Sequence, residues 1–132
     1  MSWSAWSDNG FGYELFNDHN MKKVFKFIAD STDYKEVENC EDPFDAEQIM
    51  DQCCAYTVAD IINNEENCDL FCGYISCGDT NQEECIGVFP RYPWEKPKKD
   101  LSKEEIVKIL EKYAKLLDID ECPDYFEAYY CG

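Results

Sequence analysis

The sequence is poor in basic residues and has no long apolar segment. It contains twelve lysine and arginine residues against twenty-nine aspartate and glutamate residues, so its formal net charge is −17. A surface of this charge repels DNA, RNA and anionic membranes. No apolar run approaches the roughly 20 residues that a membrane-spanning helix needs, and the first ten residues lack the basic start and apolar block of a signal peptide. We therefore expect a cytoplasmic protein.

The motifs of the common catalytic classes are also missing. The sequence has no glycine-rich phosphate loop, no nucleophile elbow and no HExxH motif. Its only histidine, His19, is not paired with any cysteine in sequence, and the cysteines lie among negative charges that disfavour a thiolate. Asp118, Asp120 and Glu121 resemble part of a calcium loop, but the central glycine and terminal glutamate of an EF-hand are absent. We predict that the protein is not an enzyme.

What the chain does contain is enough apolar and aromatic material for one core. Of its 132 residues, 45% are hydrophobic and 15% are aromatic, which indicates a folded protein and argues against disorder. No repeat or long linker divides it, and three prolines within residues 90–97 mark a stiff connector. We predict a single domain over residues 1–132.

Local signals predict about three helices. Asn20 is placed to cap the first, and Asp42-Pro43 starts the second, which Asn63-Asn64 ends. Ser102 and Glu105 form a capping box for the third. Their apolar stripes are, in order, Met21, Val24, Phe25 and Ile28; Ala46, Ile49/Met50, Cys53/Cys54, Val58 and Ile61/Ile62; and Ile106, Ile109, Leu110, Tyr113 and Leu116/Leu117.

The strand signals predict a small antiparallel sheet. Alternating apolar residues over 11–15 suit an early strand, and residues 70–77 and 84–89 suit a hairpin around a turn at 78–81. Residues 125–131 suit a final strand. Because helices and strands do not alternate regularly, we predict an α+β fold with the helices packed on one face of the sheet.

Most of the negative charge lies in one segment. Residues 27–84 hold sixteen acidic residues and one basic residue, Lys35, a net charge of −15. Carboxylates in such a run are placed to imitate phosphates, and Tyr34, Tyr56 and Tyr74 to imitate bases, although a plain solvated face has the same composition. The densest run, and our predicted partner-binding site, is Asp33, Glu36, Glu38, Glu41, Asp42, Asp45, Glu47 and Asp51.

The cysteines offer a metal-binding alternative. Cys68, Cys72, Cys77 and Cys85 are separated by three, four and seven residues, so Cys68 and Cys72 have the spacing of one ligand pair of a structural zinc site. No Cys-x-x-Cys pair is present, however, and nine cysteines in a reducing compartment are more typical of buried thiols than of disulfides.

In overall style the chain resembles the small acidic proteins of phages and mobile elements, in particular anti-CRISPR proteins that imitate DNA. Gly78-Asp79-Thr80 before a strand, Tyr92-Pro93-Trp94 after it, the helix over 101–117 and the closing segment 125–132 carry this resemblance. It is a resemblance of class over the C-terminal half, and it assigns no functional residue. The nine cysteines set the chain apart from most DNA mimics.

Charge and resemblance together favour a non-enzymatic inhibitor. Its acidic face would occupy a basic nucleic-acid-binding partner, such as a CRISPR effector, without a cofactor and without binding nucleic acid itself. The alternative is a small structural or adaptor domain stabilised by zinc on the four cysteines, and an enzyme with an activated thiol comes third.

Overall fold

The protein has four α-helices and a four-stranded antiparallel sheet in a computed structural model, which describes residues 5–77, 82–90 and 94–131. This confirms the predicted α+β class, with one helix more than expected. No helix among the described residues is both long enough and apolar enough to cross a membrane. The elements are β1 (Ala5–Glu14), α1 (Met21–Ser31), a 3₁₀ helix (Lys35–Asn39), α2 (Pro43–Met50), α3 (Cys54–Glu66), β2 (Phe71–Cys77), β3 (Gln82–Val88), α4 (Lys103–Leu116) and β4 (Asp124–Cys131).

The sheet has the strand order β2-β3-β1-β4. The long β1 pairs with β4 from Ala5 opposite Cys131 to Gly12 opposite Asp124, and with β3 near its other end. β2 and β3 form the predicted hairpin, whose turn at 78–81 lies outside the described residues. The edge strands β2 and β4 also come into contact with each other, so the sheet is strongly curled.

The main core lies between the helices and one face of the sheet. Here α3 crosses β2 at Gly73, where a Cβ atom would overlap the backbone of Ala55 and Tyr56. The Tyr13 hydroxyl donates a 2.7 Å hydrogen bond to the Leu110 carbonyl and so joins β1 to α4. Side chains of this core that are entirely buried include Leu15, Val24, Phe25, Ile28, Val37, Val58, Ile62, Ile86, Leu110, Tyr113 and Leu117.

A smaller cluster covers the opposite face. Tyr74 and Cys85 are buried there against Phe89 and Phe126. The Phe89 and Phe126 rings meet edge to face with centroids 5.7 Å apart, a favoured aromatic geometry. The curled sheet therefore buries side chains on both faces.

The second predicted helix is in fact two helices, and this corrects the sequence prediction. Asp51 adopts a left-handed backbone conformation (φ 59°), and its N–H donates a 2.7 Å hydrogen bond to the Glu47 carbonyl, which ends α2. Aspartate tolerates this conformation better than most residues. The predicted end at Asn63-Asn64 was also early, because α3 continues to Glu66 and ends at left-handed Asn67 (φ 54°).

Asn20 precedes α1 as predicted, but its side chain does not cap the helix. Its Nδ2 donates to the carbonyls of Leu15 (2.8 Å) and Leu117 (2.9 Å), and its Oδ1 accepts from the Asn17 N–H (2.8 Å). Asn20 is completely buried. The amide therefore joins the β1–α1 connection to the end of α4.

The predicted start of α4 is confirmed. Ser102 accepts a hydrogen bond from the Glu105 N–H, and its hydroxyl donates to Glu105 Oε1, both at 3.2 Å. At the other end of the helix the buried Tyr113 hydroxyl donates to Glu65 Oε1 (2.6 Å) and Glu66 Oε2 (3.0 Å) of α3. Hydrogen bonds of side chains therefore hold both ends of α4 in place.

Helix α3 is capped by a residue of the sheet. Its N-cap residue, Cys53, makes no side-chain capping bond, and Glu84 Oε1 of β3 accepts from the Ala55 N–H at 3.1 Å. Burial raises the pKa of Glu84 above its ordinary value of 4.5. A carboxyl that is harder to ionise in the folded protein contributes most to stability at low pH.

We expect Glu84 to weaken the fold as the pH rises from about 4.5 through the folded pKa, because the unfolded chain ionises first. Glu84→Gln keeps an acceptor but cannot ionise, so it should not lose this stability as the pH rises. Its free energy of unfolding should therefore increase relative to that of the wild type between pH 4.5 and 7. Glu84→Ala removes the acceptor and should cost about 1–2 kcal/mol. Urea denaturation at both pH values measures these differences, and parallel profiles for wild type and Glu84→Gln would contradict the assignment.

Candidate functional site

The predicted acidic residues lie on the 3₁₀ helix, on α2 and on the turns that flank these two neighbouring helices. We call this set, Asp33, Glu36, Glu38, Glu41, Asp42, Asp45, Glu47 and Asp51, the acidic surface. Seven of the eight residues are exposed, and Glu47 is half-buried. Buried Val37 and Ala46 fix the two short helices to the core. The backbone that carries the carboxylates is therefore anchored.

The neighbouring lysines leave most of this charge uncompensated. Lys22 Nζ donates to the Cys40 carbonyl and Lys35 Nζ to the Ala29 carbonyl, both at 2.7 Å. In the described part of the chain, the acidic surface has one ion pair, between Glu38 and Lys26 at 3.9 Å. Both of those side chains are more than half exposed, so the pair contributes little. Lys22 and Lys35 therefore use their ammonium groups to bind backbone carbonyls rather than the carboxylates of the acidic surface.

The carboxylates of the acidic surface also act on a buried thiol, that of Cys40. Burial is the first cause that raises the pKa of Cys40, and the carboxylates of Asp45 and Asp42 follow. The Lys22 charge acts in the opposite direction. The Asp45 and Asp42 carboxylates therefore add to the effect of burial on this thiol.

The surface continues into a groove that the sequence did not indicate. This groove, of about 370 Å³, lies between the end of α1 and the exposed side of α3. Asp30 and Asp60 line it with Tyr34, which follows Asp33 of the acidic surface. The two aspartates are distant in sequence, and packing of α1 against α3 brings them to one groove. We call it the Tyr34 groove.

The aromatic residues predicted to lie beside the carboxylates separate into two groups. Tyr34 is 38% exposed and Tyr56 is 42% exposed. Tyr74 is only 2% exposed and belongs to the cluster on the opposite face of the sheet, so its predicted role as a surface ring is wrong. Phe44, the residue before Asp45 in α2, was missed and is 66% exposed. Amphipathic periodicity could have indicated Phe44, because it lies off the apolar stripe that predicts α2.

The four cysteines of the zinc alternative are not gathered in one place. Cys68 is buried in the helix-side core, where its thiol lies 3.5 Å from Asn63 Oδ1, and Cys85 is buried in the cluster on the opposite face. Cys72 is exposed on β2. Cys77 ends β2, and its side chain is outside the described part of the chain. The alternative stays a prediction without support from this geometry.

The buried thiols next to the acidic surface are poor nucleophiles. Burial raises the pKa of Cys53 to about 12, despite opposing hydrogen bonds from the Tyr56 and Ala55 backbone. Burial and then the Glu84 carboxylate also raise the pKa of Cys54. A catalytic cysteine needs the opposite shift. These two positions therefore do not offer an activated nucleophile.

Comparison of the chain with known protein families, characterised proteins and solved structures found no match. The function must therefore be inferred from the surface itself. Its two distinguishing properties are the uncompensated carboxylates of the acidic surface and the adjoining Tyr34 groove.

Proposed function

We propose that the protein is a non-enzymatic inhibitor that uses the acidic surface to occupy a basic nucleic-acid-binding partner in the cytoplasm, in the manner of a DNA-mimicking anti-CRISPR protein. A CRISPR effector is one partner of this chemistry. The observation that supports the proposal is the acidic surface itself, whose anchored and mostly exposed carboxylates form one ion pair with the basic residues that the structure describes. A net charge of −17 also exceeds the magnitude of about 2–8 that keeps a small domain soluble.

The proposed mechanism is competition for arginine and lysine side chains. Groups that normally hold phosphates would pair with the carboxylates instead, and the mutual attraction would speed the encounter. The Tyr34 groove suits an arginine in particular. Its aspartates, Asp30 and Asp60, can accept the guanidinium N–H groups, and the Tyr34 ring offers a face for stacking.

The test is competition between this protein and duplex DNA for purified basic nucleic-acid-binding proteins, with a CRISPR effector among them. We expect mutually exclusive binding, because both ligands use the same cationic groove. The affinity should also fall steeply between about 50 and 500 mM salt, since exposed charge pairs are screened over about 10 Å at 0.1 M.

Two results would contradict the proposal. One is a ternary complex in which the partner still holds DNA with unchanged affinity. The other is binding that does not change with salt, which would indicate an apolar interface elsewhere on the molecule.

A further inference from the structure

A second group of polar side chains lies away from the acidic surface, where the β1–α1 connection meets the end of α4. His19 Nε2 is 3.6 Å from Asp118 Oδ2 and 3.4 Å from Asp120 Oδ2. All three potential ligand atoms lie within 4.8 Å of one another. The imidazole distinguishes this cluster from the carboxylate-only groups of the molecule.

The backbone that carries the cluster is held in place from both sides. Asn17 Nδ2 donates to the Asp118 carbonyl at 2.9 Å, and Asn17 Oδ1 accepts from the His19 N–H at 2.9 Å. The buried Asn20 amide joins the same two segments through the Leu117 carbonyl. The three side chains are thus projected from two chain segments that are tied together without them.

The distances suit a shared cation. An ion with tetrahedral bonds of about 2.1 Å to nitrogen and oxygen holds its ligand atoms about 3.4 Å apart. The two nitrogen-to-oxygen distances of the cluster are 3.4 and 3.6 Å. The Asp118 and Asp120 oxygens lie within 4.8 Å of each other, so the two carboxylates also repel each other, and a cation shared between them relieves this repulsion. The cluster therefore has both the spacing and the charge of a metal-ligand set.

From this geometry we infer that His19, Asp118 and Asp120 bind a divalent transition-metal ion of the zinc class. Three protein ligands leave at least one coordination position open. His19 and Asp120 line a cleft of about 330 Å³ together with Glu14, Asp18 and Glu121, so water can complete the coordination. The ion would join the β1–α1 connection to the α4–β4 connection.

Lys23 is the competitor that a metal ion must displace. Its Nζ lies 3.8 Å from Asp118 Oδ2, and its side chain is 61% exposed. An exposed pair of this length contributes little, so a divalent ion can replace it at small cost. Lys23→Gln should therefore strengthen metal binding.

The single histidine gives a direct test. We expect Zn²⁺, added to the reduced protein, to shift the His19 ring resonances in NMR spectra in a saturable way. Asp118→Asn and Asp120→Asn should each weaken binding by at least about 10-fold, the lower end of the loss that even outer-shell changes produce. Glu111→Gln, an exposed carboxylate of α4 outside the cluster, is the matched control and should bind as the wild type does.

Thermal unfolding and cobalt spectra distinguish metal binding at this site from metal binding by the cysteine thiolates. At a free Zn²⁺ concentration about 100 times the Kd, the melting temperature should rise by about 10 °C, and His19→Gln should abolish the rise. Co²⁺ should bind without the intense near-ultraviolet band of thiolate ligation. The inference is overturned if millimolar Zn²⁺ leaves the His19 resonances in place, if the rise persists in His19→Gln, or if the thiolate band appears at one equivalent.

Discussion

Replacing Gly73 with alanine should remove most of the stability of the fold. A Cβ atom at this position overlaps the backbone of Ala55 and Tyr56, where the first turn of α3 lies directly on β2. Side chains can rotate away from an added methyl group. The backbones of α3 and β2 cannot, because each is held by the hydrogen bonds of its own element, so the whole helix would have to move away from the strand. We expect a cost of about 4 kcal/mol or more, the range reserved for core disruption, whereas ordinary overpacking costs about 1–3 kcal/mol.

Gly10→Ala is the matched control for this substitution. A Cβ atom there meets the ring atoms of Phe126 at 2.8 Å and Phe89 at 2.9 Å, which are side chains that can tilt. Its cost should therefore stay near 1–2 kcal/mol. Urea denaturation followed by circular dichroism compares the two variants. Equal losses would mean that α3 can move away from β2 freely, and the tight crossing would then be the wrong explanation.

Neutralising four carboxylates of the acidic surface should weaken partner binding without unfolding the protein. The combined variant Glu36→Gln, Glu38→Gln, Glu41→Gln and Asp45→Asn removes only exposed charges. Each exposed charge pair is worth about 0.2–1 kcal/mol. We therefore expect affinity for the basic partner to fall roughly 10- to 100-fold at low salt, and much less near 0.5 M salt.

The control places the same number of neutral substitutions outside the acidic surface, in and before α4 and at the start of β4. Asp100→Asn, Glu104→Gln, Glu111→Gln and Asp124→Asn are also exposed, so the net charge changes equally. If total charge alone drives association, both variants lose affinity to the same extent, and the localised interface is refuted. Melting temperatures for both should remain close to that of the wild type, because surface substitutions usually change stability by less than about 0.5 kcal/mol.

The parts of the fold that the sequence predicted well are those with local causes. Ser102 and Glu105 form their capping bonds within one helical turn, so their signal does not depend on the rest of the chain. The break between α2 and α3 lacks such a signal. The apolar stripe continues through Cys53 and Cys54, and the turn uses a left-handed aspartate, Asp51, in place of the glycine that usually marks a helix end.

The candidate sites also differ in how close their residues are in sequence, and only the local one could be predicted. The acidic surface could be predicted because its residues are close in sequence and charged residues are exposed by default. The Tyr34 groove could not, since Asp30 and Asp60 meet only when α1 packs against α3. His19 and Asp118 are likewise brought together by hydrogen bonds from Asn17 and Asn20, whose partners lie about 100 positions away. No periodicity in the sequence reports contacts of that range.

Because β1 pairs with β4, the first strand of the protein stays without this partner until the end of the chain has been synthesised. Ala5 finds its partner only at Cys131, and the other neighbour of β1 begins at Gln82. Contacts so distant in sequence make folding slow, and an unpaired strand is a target for aggregation in the meantime. Residues 27–84, which are synthesised during that interval, carry a net charge of −15. The same carboxylates that we assign to partner binding would thus keep neighbouring nascent chains apart until β4 arrives.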